Sequence, residues 1–177
     1  MNRQDVVWAI LLARRCGVRL EEGTALTKTQ IKEALAQGFL SLTNTKNSIL
    51  RDITLDSEAK KVIAKILKES ASERVFVFHG RNHQQAKKSI QNWITNNRSK
   101  FADHSSPKLD QFDCNNNSFV VRTNLTYHGL RHSFAREKYR EFISKGFSRQ
   151  TSRKLVAEQL GHGRDYVTLI YLGPDSD

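Results

Sequence analysis

Cysteine, proline and long apolar runs are scarce in this chain. Its 177 residues include two cysteines and two prolines. Cys16 and Cys114 are too few for a disulfide framework, and neither belongs to a Cys-x-x-Cys pair, so we expect two reduced, structural thiols. The histidines and cysteines show no metal-ligand spacing, so no metal or other cofactor is expected. The longest apolar run, Val6 to Ala13, is far shorter than the ~20 residues of a membrane-spanning helix, and no signal sequence precedes it. These absences predict an intracellular, cytoplasmic protein.

Positive charge is what the chain has in excess. It carries 29 Lys and Arg against 18 Asp and Glu, which gives a formal net charge of +11 and a pI near 9.9. Such a charge attracts polyanions, and nucleic acid is the first candidate partner. An anionic membrane surface is the alternative, but no basic amphipathic terminus supports it. With 38% hydrophobic residues, the chain is long enough for one compact domain.

Apolar residues recur at helical spacing through most of the chain, and capping residues bound several of these segments. The pattern predicts helices over Gln4 to Arg15, Thr27 to Ala36, Asp56 or Ser57 to about Glu69, Gln84 to Phe101, Tyr127 to about Lys145, Ser148 or Thr151 to Gly161, and Tyr166 to Leu172. Arg19 and Glu22 then fall in a link between the first two helices.

Strand signals are confined to short segments. Phe39 to Thr43 and Ile49 to Leu55 predict a β-hairpin with Lys46 at its tip. Arg74 to Phe78 fits a short strand or a buried extended piece. Residues 102 to 118 have no periodicity and predict a flexible loop. The expected fold class is therefore mainly α with a small antiparallel β-hairpin or sheet (α+β).

Two dense motifs in the second half of the chain hold side chains suited to chemistry. His128-Gly129-Leu130-Arg131-His132 opens a predicted helix, and Tyr171 follows nine positions after the histidine of Leu160-Gly161-His162. His128 and Arg131 share a helix face beside free backbone N–H groups, an arrangement that favours an anion. A phenol after such a cluster indicates a nucleophile that attacks a phosphate. The plainer alternatives are a solvated polar helix turn and a buried aromatic.

These motifs, with Cys16-Gly17-Val18-Arg19-Leu20-Glu21-Glu22 and the hairpin Lys46 before them, stand in the order found in the tyrosine recombinases. The chain thus resembles the catalytic domain of this phage-integrase family of DNA strand-exchange enzymes, over nearly its whole length. The resemblance implies the tyrosine recombinase catalytic-domain fold as one domain over residues 1–177, with the family's amino-terminal core-binding domain absent from this chain. The segment 145 to 160 looks longer than in many relatives, and its role stays open.

The resemblance also implies residue roles around a scissile phosphate. Arg19 and Arg131 match the paired arginines that grip it, and planar guanidinium groups suit phosphate oxygens. Lys46 matches the hairpin lysine that protonates the leaving 5′ oxygen, with Lys28 or Arg51 as substitutes.

His128 and His162 match the two family histidines that donate hydrogen bonds or move the proton of the nucleophile. Tyr171 is the expected nucleophile and Tyr166 its rival, while Glu22 matches an acidic position that orients its neighbours. Structural or surface roles are expected for His79, His83, His104 and His132.

The implied function is that of a site-specific recombinase or integrase from a phage or mobile element. It would act on double-stranded DNA through a 3′-phosphotyrosyl intermediate, without metal or nucleotide, as a possible homo-oligomer (tetramer) on DNA. Two alternatives stay open: a DNA-binding module or degenerate relative without cleavage activity, and relaxation of supercoils as in a type IB topoisomerase.

Overall fold

The structure is a computed structural model and describes residues 3–42, 50–77, 81–101, 108–113, 118–122, 125–161 and 166–172. Within these ranges the chain is mainly helical with two small antiparallel hairpins, which confirms the predicted fold class. The helices are α1 (Gln4–Cys16), α2 (Leu20–Ala25), α3 (Lys28–Gln37), α4 (Ser57–Glu69), α5 (His83–Asn97), α6 (Tyr127–Ser144), α7 (Arg149–Leu160) and α8 (Tyr166–Leu172). The strands are β1 (Phe39–Leu42), β2 (Arg51–Thr54), β3 (Lys108–Asp113) and β4 (Ser118–Arg122). A short 3-10 turn, Arg98–Phe101, continues α5.

Capping residues explain where the predicted helices begin. The side chain of Thr126 accepts a hydrogen bond from the backbone N–H of Gly129 and opens α6, and Ser148 does the same for Thr151 at the start of α7. Thr27, Asp56 and Asn82 cap α3, α4 and α5 in the same way. These starts agree with the predicted bounds to within a residue.

The core is built around α1, which packs against α4, α6, α2 and α5. Trp8 and Leu12 of this helix are fully buried, and the indole ring of Trp8 meets Phe76 edge to face. Gly17 ends α1 with a φ of 60°, and a Cβ there would lie 2.4 Å from the ring of Phe134 on α6. Only glycine lets the chain turn this close to α6, and Arg19 follows directly after this turn.

The β1–β2 hairpin is confirmed, with Phe39 opposite Thr54 and Leu40 opposite Ile53. The side chains alternate between the buried and the exposed face of the hairpin, as a half-buried ribbon requires. The predicted tip with Lys46 lies outside the described residues.

Two sequence predictions about local structure were wrong. The segment 102 to 118 is not a loop throughout, because β3 pairs with β4 in register from Lys108 opposite Arg122 to Asp113 opposite Ser118. The β-branched and aromatic residues of β4 supply a strong strand partner, whereas β3 alone has too few apolar residues to show a period. Glu22 does not lie in a link either, because it belongs to the six-residue helix α2, which is too short to show helical periodicity.

The segment after α4 forms no strand of a sheet within the described residues. Arg74 makes one isolated bridge to Thr27, and Val75 and Phe76 are buried, so this piece anchors α3 to the core. None of the helices described is long and apolar enough to cross a bilayer.

Candidate active site

The carboxylate of Glu22 is the centre of a cluster of three arginines. Arg19 Nη1 donates to Glu22 Oε1 at 2.8 Å, and Arg51 Nη2 donates to Glu22 Oε2 at 2.5 Å. Arg131 Nη1 lies 3.9 Å from the same Oε2. The side chains of Glu22, Arg51 and Arg131 are only 1%, 2% and 1% exposed, whereas that of Arg19 is 29% exposed. One carboxylate therefore lies among three guanidinium groups, and the cluster has a net positive charge.

The second partner of the arginines is the carboxyl end of α7. Arg51 Nη1 donates to Gln159 O at 2.6 Å, Arg131 Nη2 to Leu160 O at 3.3 Å and Arg19 Nη2 to Gly161 O at 3.5 Å. These three successive carbonyls lack partners within the helix and carry the negative end of its dipole. The arginines thus fix the position of the turn that leads to His162.

The charges in this cluster shift one another's pKa values. Burial acts to raise the pKa of Glu22, but Arg51 and Arg19 together bring it below its ordinary value. Burial lowers the pKa of Arg51 to about 10, against the attraction of Glu22. Arg51 is therefore still a cation at neutral pH, and Glu22 is an anion.

Arg131 is held rigidly and retains an unsatisfied donor. Its Nη1 donates to Gly17 O at 2.7 Å, while its buried Nε has no hydrogen-bond partner in the part of the chain that the structure describes. Arg131 also lines a cavity of about 480 Å³ between α2, α5 and the start of α6. The other charged residues and the histidine that line it are Arg19, Glu21, Lys87, Arg98 and His128. This cavity is suited to an anion.

Tyr171 lies beside the cluster on α8, which packs against α6. It is 7% exposed, its ring stacks on His132 at 4.2 Å between centroids and 19° between planes, and it meets His128 edge-on at 5.1 Å. Its backbone carbonyl accepts a hydrogen bond from Arg136 Nε at 3.3 Å. Burial lowers the pKa of Arg131, and the nearby phenol of Tyr171 acts in the opposite sense. The phenol is therefore within electrostatic reach of the buried guanidinium.

The structure brings together five of the seven site residues predicted from the sequence, and the roles of all seven stay predictions. Arg19, Glu22, His128, Arg131 and Tyr171 lie in one region. Lys46 and His162 fall outside the described residues, and so does the side chain of Tyr166.

The two substitutes named for Lys46 do not lie free at the cluster. Lys28 starts α3, where its charge acts on Glu73. Arg51 is buried and occupied by Glu22 and Gln159, so it is poorly placed to protonate a leaving group.

Two contacts at this site were not anticipated from the sequence. The first is the bridge that Arg51 makes between Glu22 and α7. The signal for it was present, because Arg51 occupies an inward-facing position of β2, where a charged residue needs a buried partner. The second is the stacking of His132 on Tyr171, indicated by the four-residue spacing of His128 and His132 on one helix face.

Metal or thiol chemistry finds no support among the described residues. They contain no group of three or more His, Cys, Asp and Glu side chains that could hold a metal ion. Burial raises the pKa of the Cys16 thiol to about 12, so it is protonated and unreactive at neutral pH.

Comparison with known proteins places the chain in a family. The model of the phage integrase family matches residues 5–176. A search of curated proteins found no significant match. Among solved structures, XerA recombinase is similar over 98% of this chain and 58% of its own, with 15% identity and a TM-score of 0.58. The Tn1549 transposon integrase in complex with transposon right end DNA is similar over 98% of this chain and 56% of its own, with 16% identity and a TM-score of 0.63.

The same integrase in complex with circular intermediate DNA gives a TM-score of 0.63 at 16% identity, over 97% of this chain and 56% of that one. The chain thus spans somewhat more than half the length of these structures, and at such low identity the likeness shows the fold. The fold agrees with the family match, which extends over almost every residue. The chain belongs to the phage integrase family.

Proposed function

We propose that residues 1–177 form the catalytic domain of a site-specific DNA recombinase or integrase that breaks and rejoins DNA through Tyr171. The observation that carries the proposal is the position of this tyrosine: its ring contacts His128, and its phenol lies within electrostatic reach of the buried Arg131. A tyrosine with only a packing role would not need a net positive cluster beside it.

The reaction would be a transesterification. The Tyr171 oxygen attacks the scissile phosphorus and loses its proton, the bond from phosphorus to the 5′ oxygen breaks, and a 3′-phosphotyrosyl bond forms. The 5′ oxygen leaves as a hydroxyl after taking up a proton. Attack by a 5′-hydroxyl of a partner strand reverses these changes and releases the tyrosine. The phosphotyrosyl bond retains the energy of the phosphodiester, so no nucleotide is consumed.

Arg19 and Arg131 would stabilise the charge that develops on the non-bridging oxygens. Arg19 is held by the Glu22 carboxylate and Arg131 by two backbone carbonyls before any substrate arrives, and fixed donors stabilise a transition state without reorganising. Arg19, whose side chain is 29% exposed, has donors that a phosphate can reach, and Arg131 lines the same cavity. We assign hydrogen bonding or proton transfer to His128 and His162, and protonation of the leaving oxygen to Lys46.

A suicide substrate tests the proposal. A DNA duplex with a nick beside the cleavage site releases the leaving strand and traps any covalent protein–DNA adduct, which is then counted on a denaturing gel. The wild-type chain should form the adduct, and Tyr171→Phe should abolish it while keeping DNA affinity within about three-fold, since phenylalanine preserves the ring.

Tyr166→Phe is the matched control, because it removes the other phenol of α8 and should leave the adduct unchanged. A wild-type chain that binds DNA but never forms an adduct would overturn the enzyme proposal in favour of a DNA-binding module. If an adduct forms and supercoiled DNA is relaxed without any recombinant product, the topoisomerase-like alternative is correct instead.

A further inference from the structure

Arg51 is the buried cation of the cluster for which the proposed reaction has no task. It is the first residue of β2 and occupies an inward-facing position of the strand. A guanidinium on the buried face of a two-stranded hairpin is costly unless it is paired there. The partners of Arg51 therefore indicate what this residue does in the fold.

The contacts of Arg51 join three elements. It donates to Glu22 on α2 at 2.5 Å and to Gln159 O at the end of α7 at 2.6 Å. Its aliphatic part lies against the next turn, because a Cβ added at Gly161 would come within 2.7 Å of Arg51 Cδ. The side chain thus links the hairpin to both structures that hold Arg19 and Arg131.

The distances around Glu22 Oε2 show what Arg51 prevents. Arg51 occupies this oxygen at 2.5 Å, while Arg131 stays 3.9 Å away, beyond hydrogen-bond length. If Arg51 were removed, Oε2 would lose its charged donor and keep only the backbone N–H of Arg19 at 2.7 Å, and Arg131 would be the buried cation left beside this oxygen. Arg131 would then pair with Glu22, and less of its charge would act on a bound phosphate.

We infer that Arg51 is a positioning residue for DNA cleavage: it pairs with Glu22 Oε2 so that Arg131 remains directed at the scissile phosphate. This inference rests on the proposed function. It assigns Arg51 no contact with the substrate, and it separates this residue from Lys46, for which it was a possible substitute.

The test uses the charge of the phosphate as its readout. Single-turnover cleavage is measured on a nicked duplex with a normal scissile phosphodiester and on one with a neutral methylphosphonate there. The methylphosphonate lacks one anionic oxygen, so it gains less from correctly placed guanidiniums. Arg51→Met should slow phosphodiester cleavage roughly 30- to 100-fold, as expected for misplaced catalytic groups, and methylphosphonate cleavage by less than about three-fold. Arg19→Met should show the same asymmetry.

Lys138→Met is the matched structural control. Lys138 is also a buried cation bound to carboxylates, at 3.1 Å from Asp56 and 2.8 Å from Glu141, but it does not line the cavity beside Arg131. Its loss should destabilise the fold and slow the cleavage of both substrates alike.

Arg51→Lys retains the charge with a single donor group and serves as the second variant if Arg51→Met does not fold. It should show the same asymmetry to a smaller degree.

A double variant isolates the mechanism. Arg51→Met with Glu22→Gln removes the carboxylate that would capture Arg131, so it should cleave the phosphodiester faster than Arg51→Met alone. Equal losses on both substrates, or no recovery in the double variant, would overturn the role of Arg51 and leave the proposed function intact. Failure of the wild type to cleave either substrate would instead refute the proposed function.

Discussion

At the residue scale, Glu22 determines whether three arginines can share one site. Without Glu22, Arg51 and Arg131 would be two buried cations with no carboxylate between them. In the intact cluster, the charge of Arg131 already acts to lower the pKa of Arg51. The carboxylate also accepts the backbone N–H of Arg19 at 2.7 Å and so caps α2. One side chain therefore both starts a helix and neutralises part of the charge that a phosphate would later meet.

Replacing Glu22 with glutamine should lower the free energy of unfolding by ~3–5 kcal/mol, as is typical when one partner of a buried ion pair is lost. The pKa of Glu22 is lowered in the folded state, so the unfolded state binds more protons in acid. The stabilisation it provides is thus complete above the ordinary glutamate pKa of ~4.3 and is lost as the pH falls through the folded value.

Denaturant unfolding from about pH 7 to about pH 3 measures this dependence. The stability difference between the wild type and Glu22→Gln should shrink as the pH falls. Glu58→Gln, which removes an exposed carboxylate paired with Lys61 on α4, should alter the acid response far less, because solvent screens that pair. A stability difference that stays constant over the whole range would show that Glu22 is not the ionised partner of the arginines.

At the element scale, the end of α7 depends on a glycine for two separate reasons. Gly161 has a φ of 65°, and Arg51 lies where its Cβ would be. Gly146, which follows α6, has a φ of 85° with no atom within 4 Å of an added Cβ. Comparing substitutions at Gly161 and Gly146 therefore separates the cost of backbone strain from the cost of a steric clash with Arg51.

Gly146→Ala should cost only the left-handed backbone penalty of ~1–2 kcal/mol in unfolding free energy and leave adduct formation unchanged. Gly161→Ala should cost more, because Arg51 must also move, and it should slow adduct formation at least about ten-fold. Thermal unfolding and the suicide substrate measure the two effects. Equal results for the two variants would mean that Arg51 adapts without cost and that α7 is not positioned by the cluster.

The elements that could be predicted from the sequence are those with local signals. Thr126 and Ser148 predict the starts of α6 and α7, and Gly17 predicts the end of α1. Capping can be predicted in this way because it depends on residues that are close in the sequence. The pairing of β3 with β4 could not be predicted in this way, since it depends on a partner strand. Helix α2 was missed for a similar reason: its start is stabilised by Glu22, whose position depends on Arg51 in a distant strand.

The candidate site, like the fold, could be predicted from the sequence only in part. The motif order was enough to predict that Arg19, His128, Arg131 and Tyr171 lie together. It could not predict how they are held, because the three acceptors at the end of α7 are backbone carbonyls and leave no trace in residue identity. The roles of these four residues, like those of Lys46 and His162, stay predictions.

At the scale of the whole molecule, the excess positive charge is consistent with a polyanionic partner. The net charge of +11 is spread over the chain, but Lys87 and Arg98 of the α5 segment lie on the same cavity as Arg19 and Arg131. If DNA passes through this cavity, these two cations meet phosphates next to the scissile one. Other cations, such as Lys61 on α4, do not line this cavity.

DNA affinity of the Tyr171→Phe chain should therefore fall steeply with salt, with a log–log slope of roughly −0.9 for each phosphate contacted. Arg98→Gln should weaken binding to all sequences alike and reduce the size of this slope by about 1, since one phosphate contact is lost. Lys61→Gln removes the same charge from an exposed position outside the cavity and should leave the slope unchanged within error. Fluorescence anisotropy with labelled duplexes over a salt series measures the slopes of all three chains.

If Arg98→Gln and Lys61→Gln reduce the slope equally, net charge attracts the DNA and the cavity does not bind it. A flat slope for the parent chain would exclude phosphate contacts, and with them the substrate on which Tyr171 is proposed to act.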